Sequence, residues 1–290
     1  MNQNNQYNPL AQYTRRTARY VKLPSGGQFY KKGITLSDNG ELAVYPMTAK
    51  DELLLKSPDA LLNGEAVKTV LRNCIPDIVD PGEIPTIDLE LLLVAIRMST
   101  YGDNMEIEVT HECSPDKSHT SKTNLNLGSL LDSATYYSGD PMIIRMPNGL
   151  MVEVRPYTMS DRNKIAMASW EQMSYMNQVD NDKTADAAKK LKEASVGVGK
   201  LIAVTLDIIA NSVIKVTTPD GTEVTDPKFI KEWVLNLEKA DYDIIDKSVK
   251  DIMNMGVPKE MKLKCENCGG EFTSSINFNP SDFFAQGLPN

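Results

Sequence analysis

Histidine is almost absent from this chain of 290 residues: there are two, His111 and His119. A Ser/His/Asp triad would have to use one of them, and a histidine-rich metal site is excluded. Cysteine is nearly as scarce, with Cys74, Cys113, Cys265 and Cys268, so the chain is not a disulfide scaffold. Positive charge is in deficit: 31 Lys+Arg face 39 Asp+Glu, a net charge of −8. That balance argues against a nucleic-acid partner held by phosphate neutralisation. Long apolar runs are missing too. The most apolar stretch, Val196 to Ile214, is broken by Lys200 and Asp207, which predicts a buried helix and no membrane partner. The start, MNQNNQYNPLAQYTRR, has no apolar core of a secretory signal. The expectation is a soluble, cytoplasmic protein.

What remains is enough for real cores, since 41% of residues are hydrophobic. The length predicts about two domains. Residues 1–19 hold three Gln and four Asn with little periodicity and read as a flexible arm. Order is expected from Tyr20. Asn39-Gly40 predicts a hairpin between Ile34–Leu36 and Leu42–Tyr45. Thr48 with Asp51 three residues on predicts a capped helix start, and Thr86 or Asp88 a second helix that Gly102 ends. MEIEVTHEC alternates as a strand, with NLNLGSLLD as its return. PMIIRM and LMVEVRPY form a hairpin around Asn148-Gly149, and Thr158 and Asp161 open another helix. QVDNDKTAD reads as a loop before a long helix over 185–211. A hairpin at Asp220-Gly221 and helices opened by Asp226 and Asp241 follow, the first running to Leu237. Two strands then flank Cys265-Glu-Asn-Cys268, ahead of an irregular tail.

The chain echoes itself. Val44-x-Pro46-x-Thr48-x-x-Asp51 recurs 110 residues later as Val154-x-Pro156-x-Thr158-x-x-Asp161. Helix–Gly–strand–Cys then follows in both parts, at Gly102/Cys113 and Gly256/Cys265. The expected fold is α+β with two related halves, each a small β unit plus helices. Its boundaries are an arm at 1–19, halves at 20–135 and 136–279, and a tail at 280–290, with an insertion near 180–225 in the second half. In that tail Phe283 and Phe284 are the expected anchors, to this chain or to a neighbour.

Cys265-x-x-Cys268-Gly-Gly supplies half of a tetrahedral zinc site. Cys113 and His119 are the expected other half, with His111 and Asp116 in reserve. Three readings stay open: a structural zinc, a metal-free knuckle, or a redox pair, the last lacking a thioredoxin-like βαβ context. Cys74 reads as a core residue. Val196-Gly-Val-Gly-Lys200 fails as a phosphate loop, because Ala194 stands where a Gly is needed and Leu201 replaces Ser/Thr. Asp241, Asp243 and Asp246 read as a solvated helix face. No catalytic constellation is visible, so a non-enzymatic protein is expected.

LPSGGQFY, ELAVYPMTAKDELLL, DLELLLVAIRMSTYG, the Cys113 turn and CENCGGEF occur in that order. The series resembles the baseplate protein family of contractile-tailed bacteriophages, whose T-even members are baseplate hub assembly proteins. The resemblance covers residues 20–127 well and 255–285 in outline. It implies a structural or assembly role, other tail proteins as partners, and action in the infected cell's cytoplasm or in the virion. Family members often carry two Cys-x-x-Cys turns; here the first is reduced to Cys113. A cellular zinc-ribbon adaptor is the alternative, and an enzyme built from scattered carboxylates the third reading.

Overall fold

The computed structural model describes residues 10, 14–56, 64–114, 117–140, 142–181, 187–276, 278, 283 and 284. Helices and antiparallel strands mix along the chain. β1 (Arg19–Lys22) pairs with β2 (Glu41–Val44), and α1 (Ala49–Leu55) and α2 (Glu65–Cys74) follow. α3 (Thr86–Tyr101) leads into the hairpin β3 (Asn104–Ser114) and β4 (Lys117–Asn126), then α4 (Leu127–Asp132). The second part holds a four-stranded sheet in the order β5 (Ile143–Arg145), β6 (Met151–Val154), β7 (Val213–Thr217), β8 (Glu223–Val224). α5 (Met159–Asn181) and α6 (Ala187–Ser212) lie between β6 and β7 in sequence. α7 (Pro227–Leu235), α8 (Lys239–Met253) and the hairpin β9 (Glu260–Lys264) and β10 (Glu271–Ser275) complete the chain.

Two apolar cores result. One gathers β1, β2, α1–α4 and the C-terminal Phe278, Phe283 and Phe284. The other lies between the four-stranded sheet, the end of α6, and α7 and α8. α3 is buried almost throughout, which explains its near-continuous apolar sequence. The cores meet at an antiparallel bridge in which Thr86 N donates to Tyr157 O and Met159 N to Ile84 O, both at 2.8 Å. They meet again where Gly256 exchanges backbone bonds with Thr135. Gly256 has φ +89°, and a Cβ there would stand 2.5 Å from Ile87 O. Gly256→Ala is therefore expected to cost about 2–4 kcal/mol in urea unfolding, through left-handed strain plus a backbone clash. A loss below about 0.5 kcal/mol would show that the junction gives way freely.

The repeated octet has the same hydrogen bonds in both places. Thr48 and Asp51 form a reciprocal capping box, and Thr158 and Asp161 make the same pair of bonds. The correspondence extends to residues that do not belong to the octet. Tyr45 N donates to Cys74 O at the end of α2, and Arg155 N donates to Ser212 O at the end of α6. Asn73-Cys74 and Asn211-Ser212 thus occupy like positions after helices of very different length.

Several expectations need correction. β2 follows the Asn39-Gly40 turn but pairs with β1, while Ile34 bridges to Ile78. The return strand is β4, and Leu127–Asp132 is helical because the Asn126 side chain accepts from Ser129 N. α5 runs to Asn181, into the expected loop. α7 stops at Leu235, and α8 starts after Glu238, ahead of Asp241. Order precedes Tyr20: Arg15 donates to Pro46 O and Asn73 O and lies 3.7 Å from Asp51. Residues 1–9 and 11–13 of the expected arm lie outside the described residues. The apolar stretch near Val196 is not a wholly buried helix. Its window Ser195–Ser212 is long and apolar enough to cross a membrane, yet only 28% of it is buried. Lys200 pairs with Glu171 of α5, and Asp207 with Lys231 of α7. Only its end, at Ile208–Ala210, enters the second core.

The LPSGGQFY segment is fixed by a residue that sequence reading assigned only to a helix start. Asp88 on α3 is fully buried and accepts from Ser25 N at 2.8 Å, Ser25 Oγ at 2.5 Å and Tyr30 Oη at 2.9 Å. Burial pushes its carboxyl up to about 6, against the three donors that hold it down.

Candidate metal centre

Cys265 to Gly270 form the tight turn between β9 and β10. Cys265 N donates to Gly270 O at 2.9 Å and Gly269 N to Cys265 O at 2.8 Å, with Gly269 at φ +71°. This is the local reason for Gly at that position: the turn needs a left-handed residue. It folds Cys268 back so that Gly270 N points at its sulfur, 3.4 Å away. β3 brings its own residues from the first part of the chain. A register break between Glu112 and Ser114 lets Cys113 leave the ladder at the hairpin's end. Cys113 Sγ then lies 3.6 Å from Cys265 Sγ, and Asn267 Nδ2 lies 3.9 Å from Cys113 Sγ.

The fourth member is His111. Its ligand atom and the sulfurs of Cys113, Cys265 and Cys268 all lie within 4.8 Å of one another. Stacking on Phe272 of β10 holds the imidazole, with ring centroids 4.5 Å apart. His119 faces His111 across the ladder and is not one of the four. Both share one face of the hairpin, and the packing of His111 against Phe272 of β10 decides between them, for which the sequence contains no signal. Asp116, the other reserve ligand, lies outside the described residues.

The sulfur spacing has a chemical meaning. Two thiolates on a tetrahedral zinc at the usual bond length stand about 3.8 Å apart, whereas a disulfide needs about 2.0 Å. All four cysteines are free thiols, and the 3.6 Å separation matches shared coordination better than a bond. The thiols are also unequal. Backbone N–H donation from Cys268 holds Cys265 below the ordinary thiol range, desolvation opposing it. Desolvation, then hydrogen bonding to Cys265 and Cys268, pushes Cys113 up to about 11. A divalent cation between them would remove that mutual penalty. Cys74 stands apart, buried in the first core with its thiol pushed up to about 12 by burial.

Comparison with protein-family models matches the chain to the T4 bacteriophage base plate protein over residues 16–285. The chain belongs to this family. The matched span takes in both cores and all four residues of the candidate metal centre. No curated protein and no solved structure matches the chain. Family membership makes this a structural protein of the phage baseplate, a virion tail component whose partners are other phage tail proteins. It also displaces the cellular adaptor reading.

Phe283 and Phe284, the expected tail anchors, are buried in the first core of this chain. Arg97 on α3 donates to Phe283 O at 2.6 Å and lies 5.6 Å from the centre of its ring. A buried arginine on α3 is the receiving group, and nothing in the local sequence around Phe283 announces it.

Proposed function

We propose that the chain is a non-enzymatic building or assembly component of the baseplate hub of a contractile tail, placed by protein–protein contacts. The family match over residues 16–285 carries the reading. Its partners are other tail proteins, not nucleic acid, membrane or a small substrate. It meets them in the host cytoplasm during assembly. The halves at 20–135 and 136–279 derive from one unit used twice, with the lengthened α5–α6 region near 180–225 as the addition. The twin capping boxes and the like-placed Tyr45–Cys74 and Arg155–Ser212 bonds support that reading.

A structural zinc on His111, Cys113, Cys265 and Cys268 completes the proposal. Three thiolates and an imidazole suit zinc. The ion would clip the β3–β4 hairpin to the β9–β10 hairpin, with Cys113 and Cys265 lying 152 residues apart in the chain. His119 is the alternative fourth ligand that the same hairpin offers. Phe283 and Phe284 hold the tail to its own chain.

Mass spectrometry of purified baseplates and whole virions tests placement. The expected result is this chain at defined stoichiometry with hub proteins in assembled baseplates. Its recovery only with proteins unrelated to the tail would sink the reading.

A further inference from the structure

A buried arginine in the second part has fewer partners than the arginine that serves the corresponding proline carbonyl in the first. Arg15 donates to Pro46 O and Asn73 O and has Asp51 at 3.7 Å. Arg155 donates to Pro156 O, the residue 110 positions after Pro46, at 3.3 Å. Among the described residues no carboxylate lies within 4 Å of its guanidinium, and no second acceptor meets it. Yet Arg155 is only 8% exposed. Asp161 and Glu83 act on it from beyond ion-pair distance. A guanidinium has five N–H donors and cannot shed its charge. No Arg155 nitrogen is among the described side-chain atoms that are both buried and unpartnered, so its unbonded donors reach the open cavity that it lines.

Arg155 lines a cavity of about 350 Å³. Phe29, Val213 and Ile230 give it apolar walls, and Lys31 and Asn211 stand at its exposed rim. Phe29 is the one non-glycine residue with positive φ among those described, at +72°. Its ring meets Tyr137 at 5.4 Å, which holds the strained residue beside the opening.

We infer that this cavity binds a carboxylate carried on an apolar stem, the acidic side chain or chain end of a neighbouring protein. The planar guanidinium accepts a carboxylate in a bidentate fork, Lys31 adds a second positive charge, and the walls take the stem. The site stands on geometry alone; the neighbouring protein as carrier rests on the baseplate reading.

Calorimetric titration of the full chain tests the site with 4-phenylbutyrate, its neutral amide and inorganic phosphate. Phenylbutyrate is expected to bind at about 1 mM, a usual affinity for a ligand of that size. The amide should bind at least about tenfold more weakly, the effect of losing a charge-assisted pair. Arg155→Met should erase the preference. Lys31→Glu, at an exposed position, should weaken phenylbutyrate several-fold and keeps the test decisive if Arg155→Met does not fold. Equal binding of acid and amide, phosphate binding without phenylbutyrate binding, or no response to Lys31→Glu would overturn the site. In phage, Lys31→Glu should lower incorporation into baseplates. Normal incorporation of a variant that no longer binds phenylbutyrate would overturn the neighbouring protein as carrier. Failure of the unmodified chain to enter baseplates would instead remove the baseplate reading and leave the site intact.

Discussion

Asp88→Ala is expected to cost the chain about 3–5 kcal/mol of folding stability, because three buried donors lose their only shared acceptor. The pH dependence is the sharper readout. The Asp88 carboxyl sits at about 6 in the fold, above the ordinary 3.8 of the unfolded chain. The folded state therefore binds the proton more tightly. The stability this brings is complete below the unfolded value and is lost as pH rises through about 6. The size of the loss follows from the shift and is about 3 kcal/mol. Asp88→Asn keeps one acceptor for Ser25 N, while the Ser25 and Tyr30 hydroxyls can rotate to accept from its amide. Urea unfolding at pH 4 and pH 7.5 should show wild type losing about 2.5 kcal/mol relative to Asp88→Asn between those values, since part of the full effect lies below pH 4. Parallel pH profiles would mean that the three donors outweigh burial and keep the carboxylate ionised.

Removal of metal is the second large effect. Chelation is expected to lower stability by about 4 kcal/mol when free zinc has been about a thousandfold above its Kd. Wild type should contain one zinc per chain, and Cys265→Ser none. His111→Ala should lose the metal, while His119→Ala should keep it. Cobalt in place of zinc should give the intense visible bands of a tetrahedral thiolate site in wild type and not in His111→Ala. Metal well below one equivalent in wild type defeats the zinc reading. Retention in His111→Ala with loss in His119→Ala would hand the fourth position to His119.

Much of the architecture is legible along the chain because its signals are local. A Thr and an Asp three residues apart cap a helix wherever they fall after a strand and a proline, so Thr48/Asp51 and Thr158/Asp161 could be read directly. Glycine at turns and caps is equally local, as at Gly149 and Gly102. The errors share a cause. Asn39-Gly40 identifies a turn, but the partner of β2 is chosen by the apolar face of α3, and that choice is β1. Leu127–Asp132 alternates enough to resemble a strand, yet one Asn cap turns it helical. The half-exposed apolar helix near Val196 shows the reverse, an apolar sequence that its own fold does not cover.

The cluster of His111 and three cysteines divides in the same way. Sequence alone determined the Cys265-x-x-Cys268 knuckle, since two thiols on a glycine-ended turn meet whatever the rest of the chain does. It also determined the scarcity of histidine that leaves only two candidates for the fourth ligand. Tertiary structure decided that Cys113 comes to 3.6 Å from Cys265 and that His111, not His119, joins them. The reason lies in how the hairpins pack. His111 and His119 are directly opposed in the ladder and share a face, so alternation does not separate them. The pairing of the two hairpins sets His111 against Phe272 of β10, beside the knuckle. No window of sequence contains that pairing. The burial of Asp88, Arg97 and Arg155 was hidden for the same reason: a charged residue reads as exposed until the fold supplies the groups that surround it.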